Sequence, residues 1–169
     1  MHPYDKIVTR DCNAFPVEDF LDYPRAIAVD WREEEPRILR SFLAATGLSS
    51  DEARLEMDDK SGYYDLVRRV SRYAVPWGEG QSAQHSMLLA LQKAFDNSHS
   101  LRYLNHSALG DTGRFIVETR ETWSELERNN PEVRWFFTPV ERLPDTFHSS
   151  PEELSEVGER YAARPNLAD

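Results

Sequence analysis

The stretch Ala26-Ile27-Ala28-Val29-Asp30-Trp31-Arg32-Glu33-Glu34-Glu35 constrains this chain more than any other. An apolar, strand-like run ends in an acidic residue, a tryptophan and three glutamates. Ile38, Leu39, Phe42 and Leu43 then recur at helical spacing, and Gly47 supplies a stop. Asp30 to Glu33 fits a capping box, although Pro36 could mark a later helix start. In either case the glutamates fall in the first turn or two, where the positive end of the helix favours them. The junction predicts a strand feeding an amphipathic helix, with negative charge concentrated at the joint.

The rest of the chain alternates between the two periods. Phe15 to Leu21 reads as a short helix. Ala53, Leu55 and Met57 alternate with Arg54, Glu56 and Asp58, a half-buried strand. After the turn Asp59-Lys60-Ser61-Gly62 comes another alternating segment from Tyr63 to Val70, and Tyr73 to Val75 reads as its partner or continuation. Ser82 caps a helix carrying Met87, Leu88, Leu91, Ala94 and Phe95 on one face. Leu101 to Leu104 and Arg114 to Thr119 form a hairpin with a long connection. Thr122-Trp123-Ser124-Glu125 reads as a second capping box, and Val133 to Phe137 as a strongly apolar, central strand. The expected architecture is α+β: a mainly antiparallel sheet of four to six strands with helices packed on one face. Residues 1–150 form one domain, and 151–169 a C-terminal helix, with Leu154, Val157 and Tyr161 as packing residues, followed by a frayed tail.

At 169 residues such a domain buries roughly two-thirds of its unfolded surface. No apolar run approaches the ~18 residues of a membrane helix, and the start lacks the basic and apolar regions of a signal peptide. Cys12 is the only cysteine, which rules out an internal disulfide and a multi-cysteine metal site. A cytoplasmic protein is expected. The net charge of -10 is uneven. Residues 30–60 carry 9 acids against 5 bases and residues 141–169 carry 7 against 3, whereas residues 61–140 balance at 9 each. An acidic periphery repels nucleic acid, which needs a basic footprint, and steers basic proteins toward itself.

No motif in the sequence is clearly catalytic. There is no Gly-x-Ser-x-Gly elbow. Gly78-Glu79-Gly80 and Gly110-Asp111-Thr112-Gly113 are too short for phosphate loops. His99 and His106 are seven apart around a strand, His85 has no partner ligand at helical spacing, and His2 and His148 lie near the ends. Neither a metal nor a cofactor is expected. Arg68, Arg69 and Arg72 read as cross-sheet partners for acids rather than a nucleic-acid surface.

A resemblance adds to this. The run Val29-Asp30-Trp31-Arg32-Glu33-Glu34, the Ile38-Leu39-x-x-Phe42 helix, Val75-Pro76, Leu88-x-x-Leu91, Asp111-Thr112 before Phe115, and Trp123-x-x-Leu126-Glu127 together make the chain similar to small bacterial immunity-type proteins of toxin–immunity systems. The likeness spans roughly residues 26–137 and brings no catalytic residues with it. It implies a cytoplasmic protein that occludes a cognate, basic toxin. Glu33, Glu34, Glu35, Asp58 and Asp59 are the candidate contacts, and Trp31 or Trp77 the anchors. Core packing is the competing role for Trp31. Two alternatives stand beside it. One is a small enzyme with an acid/base site near His99, His106 and Asp111. The other is a homo-oligomeric adaptor joined at the Val133 to Phe137 strand edge.

Overall fold

The computed structural model describes Tyr4, Phe20, residues 22–76, 82–109, 111–147, Ser149, Ser155 and Val157. In chain order the elements are β1 (Ala26–Asp30), α1 (Glu35–Thr46), β2 (Arg54–Met57), β3 (Tyr64–Arg68), β4 (Ser71–Val75), α2 (Ala83–Phe95), β5 (His99–Leu104), β6 (Thr112–Thr119), α3 (Arg120–Asn129), α4 (Val133–Phe136) and β7 (Phe137–Pro139). Single 3-10 turns cover Asn105–Leu109 and Val140–Arg142.

The α+β class holds, and the strands divide between two antiparallel sheets. One has the order β1-β6-β5-β7; the other is the meander β2-β3-β4. The expected single layer of helices becomes two. Ile27, Val29, Leu101, Tyr103, Phe115 and Val117 turn to one face of the larger sheet, where they meet α1 and α2. Leu104 and Ile116 turn to the other face and meet Trp123, Val133 and Phe136 of α3 and α4, with Tyr4 and Phe20. The reason lies in β5 and β6, which are buried on both faces along most of their length. A strand apolar on both sides needs cover on both sides.

Helix α2 is the centre of the larger core. Its face contacts α1, β5 and the three-stranded sheet, and Met87, Leu88, Leu91 and Phe95 are wholly buried. The rings of Phe42 on α1 and Phe95 on α2 meet at 4.8 Å, worth about 0.5–1.5 kcal/mol beyond their buried area. Val157 also reaches this core, so part of the expected terminal helix packs on the domain. Leu154, Tyr161 and every residue of the expected Phe15 to Leu21 helix except Phe20 lie outside the described residues.

Local chemistry explains the boundaries. The helix after the acidic junction starts late: Glu34 occupies the N-cap position of α1 and Pro36 sits in its first turn. Asp30 shapes the corner instead, its Oδ1 accepting the Arg32 N–H at 2.8 Å. At the far end Gly47 takes φ +70 and its N–H closes on the Ala44 carbonyl, the left-handed stop that glycine adopts without strain. Helix α3 starts before the predicted box, because Thr119 is its cap and accepts the Thr122 N–H at 3.1 Å.

The Val133 to Phe137 run is not a central strand. It forms α4 and then β7, at the edge of the larger sheet. Val133 and Phe136, three apart, are buried while Arg134 is exposed, which is helical spacing. A short apolar run carries too few residues to separate the two periods. Val133 and Phe137 are buried, and β7 is three residues long and ends at Pro139.

Candidate functional site

Strand directions gather the charged turns at one end of the fold. Asp30, the last residue of β1, pairs with Thr112, the first of β6, so the Trp31 corner lies beside the β5–β6 connection and Asp111. The guanidinium of Arg68, at the last residue of β3, donates to the Ala94 carbonyl at the C-terminal end of α2, at 2.5 Å. At the start of α2, the side-chain amide of Gln84 donates to the carbonyls of Trp31 at 2.8 Å and Glu33 at 3.0 Å. Trp31, Glu33, Glu34, Glu35 and Asp111 thus share one end of the molecule.

Trp31 is 54% exposed, so it is not a core residue. Its ring carries the Arg32 guanidinium 4.2 Å from the centroid. Glu33 pairs with Arg37 one turn on, at 3.2 Å. Glu34 and Glu35 stand at the positive end of α1. Asp58 is engaged in its own turn. It accepts the Ser61 hydroxyl at 2.7 Å and the Lys60 N–H at 3.2 Å, and the Ser61 bond is the main reason its carboxyl lies below the usual range. Asp59 is exposed at the same turn. Trp77 lies outside the described residues.

Between the Trp31 corner and the β5–β6 connection is a pocket of roughly 220 Å³, lined by Trp31, Tyr103, Ala108, Asp111, Gly113, Thr146 and Phe147. The first turn of α2 holds both rims. Gln84 ties down the Trp31 corner. Ser82, the N-cap of α2, donates its N–H to Asp145 Oδ2 at 2.5 Å and its hydroxyl to Oδ1 at 2.8 Å. Asp145 in turn accepts the Phe147 N–H at 3.1 Å, which sets Thr146 and Phe147 over the pocket. The Tyr103 and Phe115 rings, 5.2 Å apart, lie under Gly113. A Cβ at Gly113 would stand 3.1 Å from Phe115 Cε2 and 3.3 Å from Tyr103 Cε2, so the rings must give way to admit any side chain there. Thr146 Oγ1 is buried with no hydrogen-bond partner among the described residues.

The predicted acid/base group does not assemble. His99 pairs with Thr119 at the far end of the β5–β6 hairpin, five strand positions from Leu104, and bonds to Ser98 Oγ at 2.9 Å. At ~3.3 Å per residue this separates it from Asp111 by well over 10 Å. His106 does not line the pocket, so Asp111 stands there without an imidazole. Among the described residues no group of three or more His, Cys, Asp or Glu is arranged to hold a metal ion, and no helix is long and apolar enough to cross a membrane.

The chain was compared with family models, with curated proteins and with solved structures, and nothing matches in any of the three. Function has to be argued from geometry.

The arginine triplet behaves as expected in part. Arg72 bridges Glu56 and Asp65 across the three-stranded sheet, while Arg68 lies over the Phe95 ring. A second polar cluster, without any sequence signal, surrounds Glu118 at the end of the sheet away from the pocket. Glu118 is 3% exposed. It accepts from the Tyr23 hydroxyl and, at 3.4 Å, from Tyr4, and Arg25 approaches its other oxygen at 3.3 Å as an ion pair. Burial first, and the carboxylate second, push both phenols well above the usual tyrosine range. This cluster ties Tyr4 and Tyr23 to the larger sheet.

Of the pocket's lining, Trp31 and Asp111 were legible from sequence. Tyr103, Gly113, Thr146 and Phe147, and the holding residues Ser82, Gln84 and Asp145, were not, because they come from segments far apart in the chain: Gln84 lies 53 residues from Trp31, and Ser82 lies 63 from Asp145.

Proposed function

We propose that this chain is a cytoplasmic protein-binding protein of the immunity type, which covers a basic site on a partner with its acidic end. The observation that supports this most is the exposed Trp31 at the mouth of a pocket that Asp111 also lines, on the corner that leads into Glu33, Glu34 and Glu35. A large exposed aromatic beside acidic side chains is the arrangement of an interface anchor, and the excess negative charge would speed and orient encounter with a basic protein. The pocket is smaller than the ~300–1,000 Å³ that small-molecule sites usually offer. That size weighs against an enzyme acting on a metabolite and toward reception of a side chain.

The test is co-expression with the product of the neighbouring gene. A stoichiometric complex is expected, weakened by raised salt and by the charge reversals Glu34→Lys and Asp59→Lys. A folded, monomeric chain that forms no complex with that product would overturn the reading.

A further inference from the structure

The chemistry of the pocket is more specific than an acidic surface. We infer that it receives one arginine side chain of the partner protein, an inference that rests on the binding reading above. Three features select that group. Trp31 presents an indole that already stacks a guanidinium, that of Arg32, at 4.2 Å; planar guanidinium groups stack on aromatic faces more often than ammonium groups do. Asp111 is exposed at the rim with no cation paired to it among the described residues, and supplies the counter-charge. A guanidinium carries N–H donors in a fixed fork that matches a carboxylate such as that of Asp111, and it has no acceptor that would be stranded. The apolar wall of Tyr103, Ala108 and Phe147 suits the methylene stem.

Both rims hang from α2, through Gln84 and Asp145, so the pocket is formed before the partner arrives. Preorganisation of this kind lowers the entropy lost on binding.

The experiment titrates N-acetyl-arginine N-methylamide into the full chain and follows the Trp31 indole N–H by NMR, assigned by its loss in Trp31→Phe. A saturable shift is expected, with Kd on the order of 1–10 mM. The capped lysine and citrulline analogues should bind at least about fivefold more weakly, the first lacking the plane and the second the charge. Asp111→Asn should weaken arginine by a similar factor, and Glu125→Gln, on the opposite face of the sheet, should not. No saturable shift at about 20 times that range, or an equal response to citrulline, overturns the inference. Agmatine binding ten times more tightly than the capped residue overturns it in favour of a free guanidinium ligand. If these titrations fail while the co-expressed complex still forms, the pocket assignment falls and the acidic-end reading stands. If the titrations succeed and no complex forms, the partner assignment falls instead.

Discussion

One side-chain amide joins the two halves of the acidic end: Gln84 Nε2 donates to the carbonyl oxygens of Trp31 and Glu33, at 2.8 and 3.0 Å. The donor belongs to the first turn of α2, whose other face is sealed into the core. The acceptors belong to the corner that carries the half-exposed Trp31. The rigidity of the core thereby reaches a tryptophan that lies outside it.

Removing that amide should loosen the corner without unfolding the domain. Gln84→Ala deletes two partly exposed bonds, worth about 1 kcal/mol together once solvent competes. A fall in Tm of about 2–4 °C is expected for a chain of this size. Hydrogen exchange should speed up at Trp31 to Glu35 and remain slow in α2. Uniform acceleration across α2 and β5 would mean that Gln84 stabilises the whole core rather than the corner.

The β3–β4 turn carries removable strain. Arg69 sits at φ 55, in the left-handed region, and Val70 beside it is 99% exposed. An L-residue pays roughly 1–2 kcal/mol there, and glycine does not, although glycine loses about 0.5–1 kcal/mol in backbone entropy. Arg69→Gly should therefore raise Tm by about 1–4 °C, measured by calorimetry at neutral pH. A lower Tm would show that the Arg69 side chain makes a stabilising contact large enough to outweigh the strain.

Alkaline pH should act through the buried phenols. Tyr4, Tyr23 and Tyr103 are all held above the ordinary value near 10, mainly by burial. Above that value the unfolded chain releases phenolic protons that the folded chain keeps, so stability is full below about pH 10 and declines as pH rises beyond it. A near-ultraviolet absorbance titration should show these three of the seven tyrosines ionising only as the fold is lost. The double variant Tyr4→Phe with Tyr23→Phe should flatten the decline. An unchanged slope would place the alkaline sensitivity elsewhere.

What the sequence determined by itself was mostly local. The strand through Leu55, the period of 3.6 through Leu88 and Leu91, the cap at Ser82 and the stop at Gly47 depend on near neighbours, and each is found where those neighbours put it, although Met57, expected on the buried face of that strand, is 53% exposed. The α+β class follows from their alternation. The Val133 to Phe137 run went the other way, because so short a run, with four apolar residues in five, fits either period and only the aromatic cluster around Trp123 and Phe137 decides between them. The sequence also marked Trp31 as unusual but left open whether it was core or surface, since an indole suits both. The tertiary structure decided that question, along with the separation of His99 from Asp111 and the making of the pocket. Its walls come from the β1–α1 corner, β5, the β5–β6 connection and Thr146–Phe147, and Ser82 reaches Asp145 across 63 residues. Periodicity records which face of an element is apolar. It holds no record of which distant turn the finished packing sets beside it.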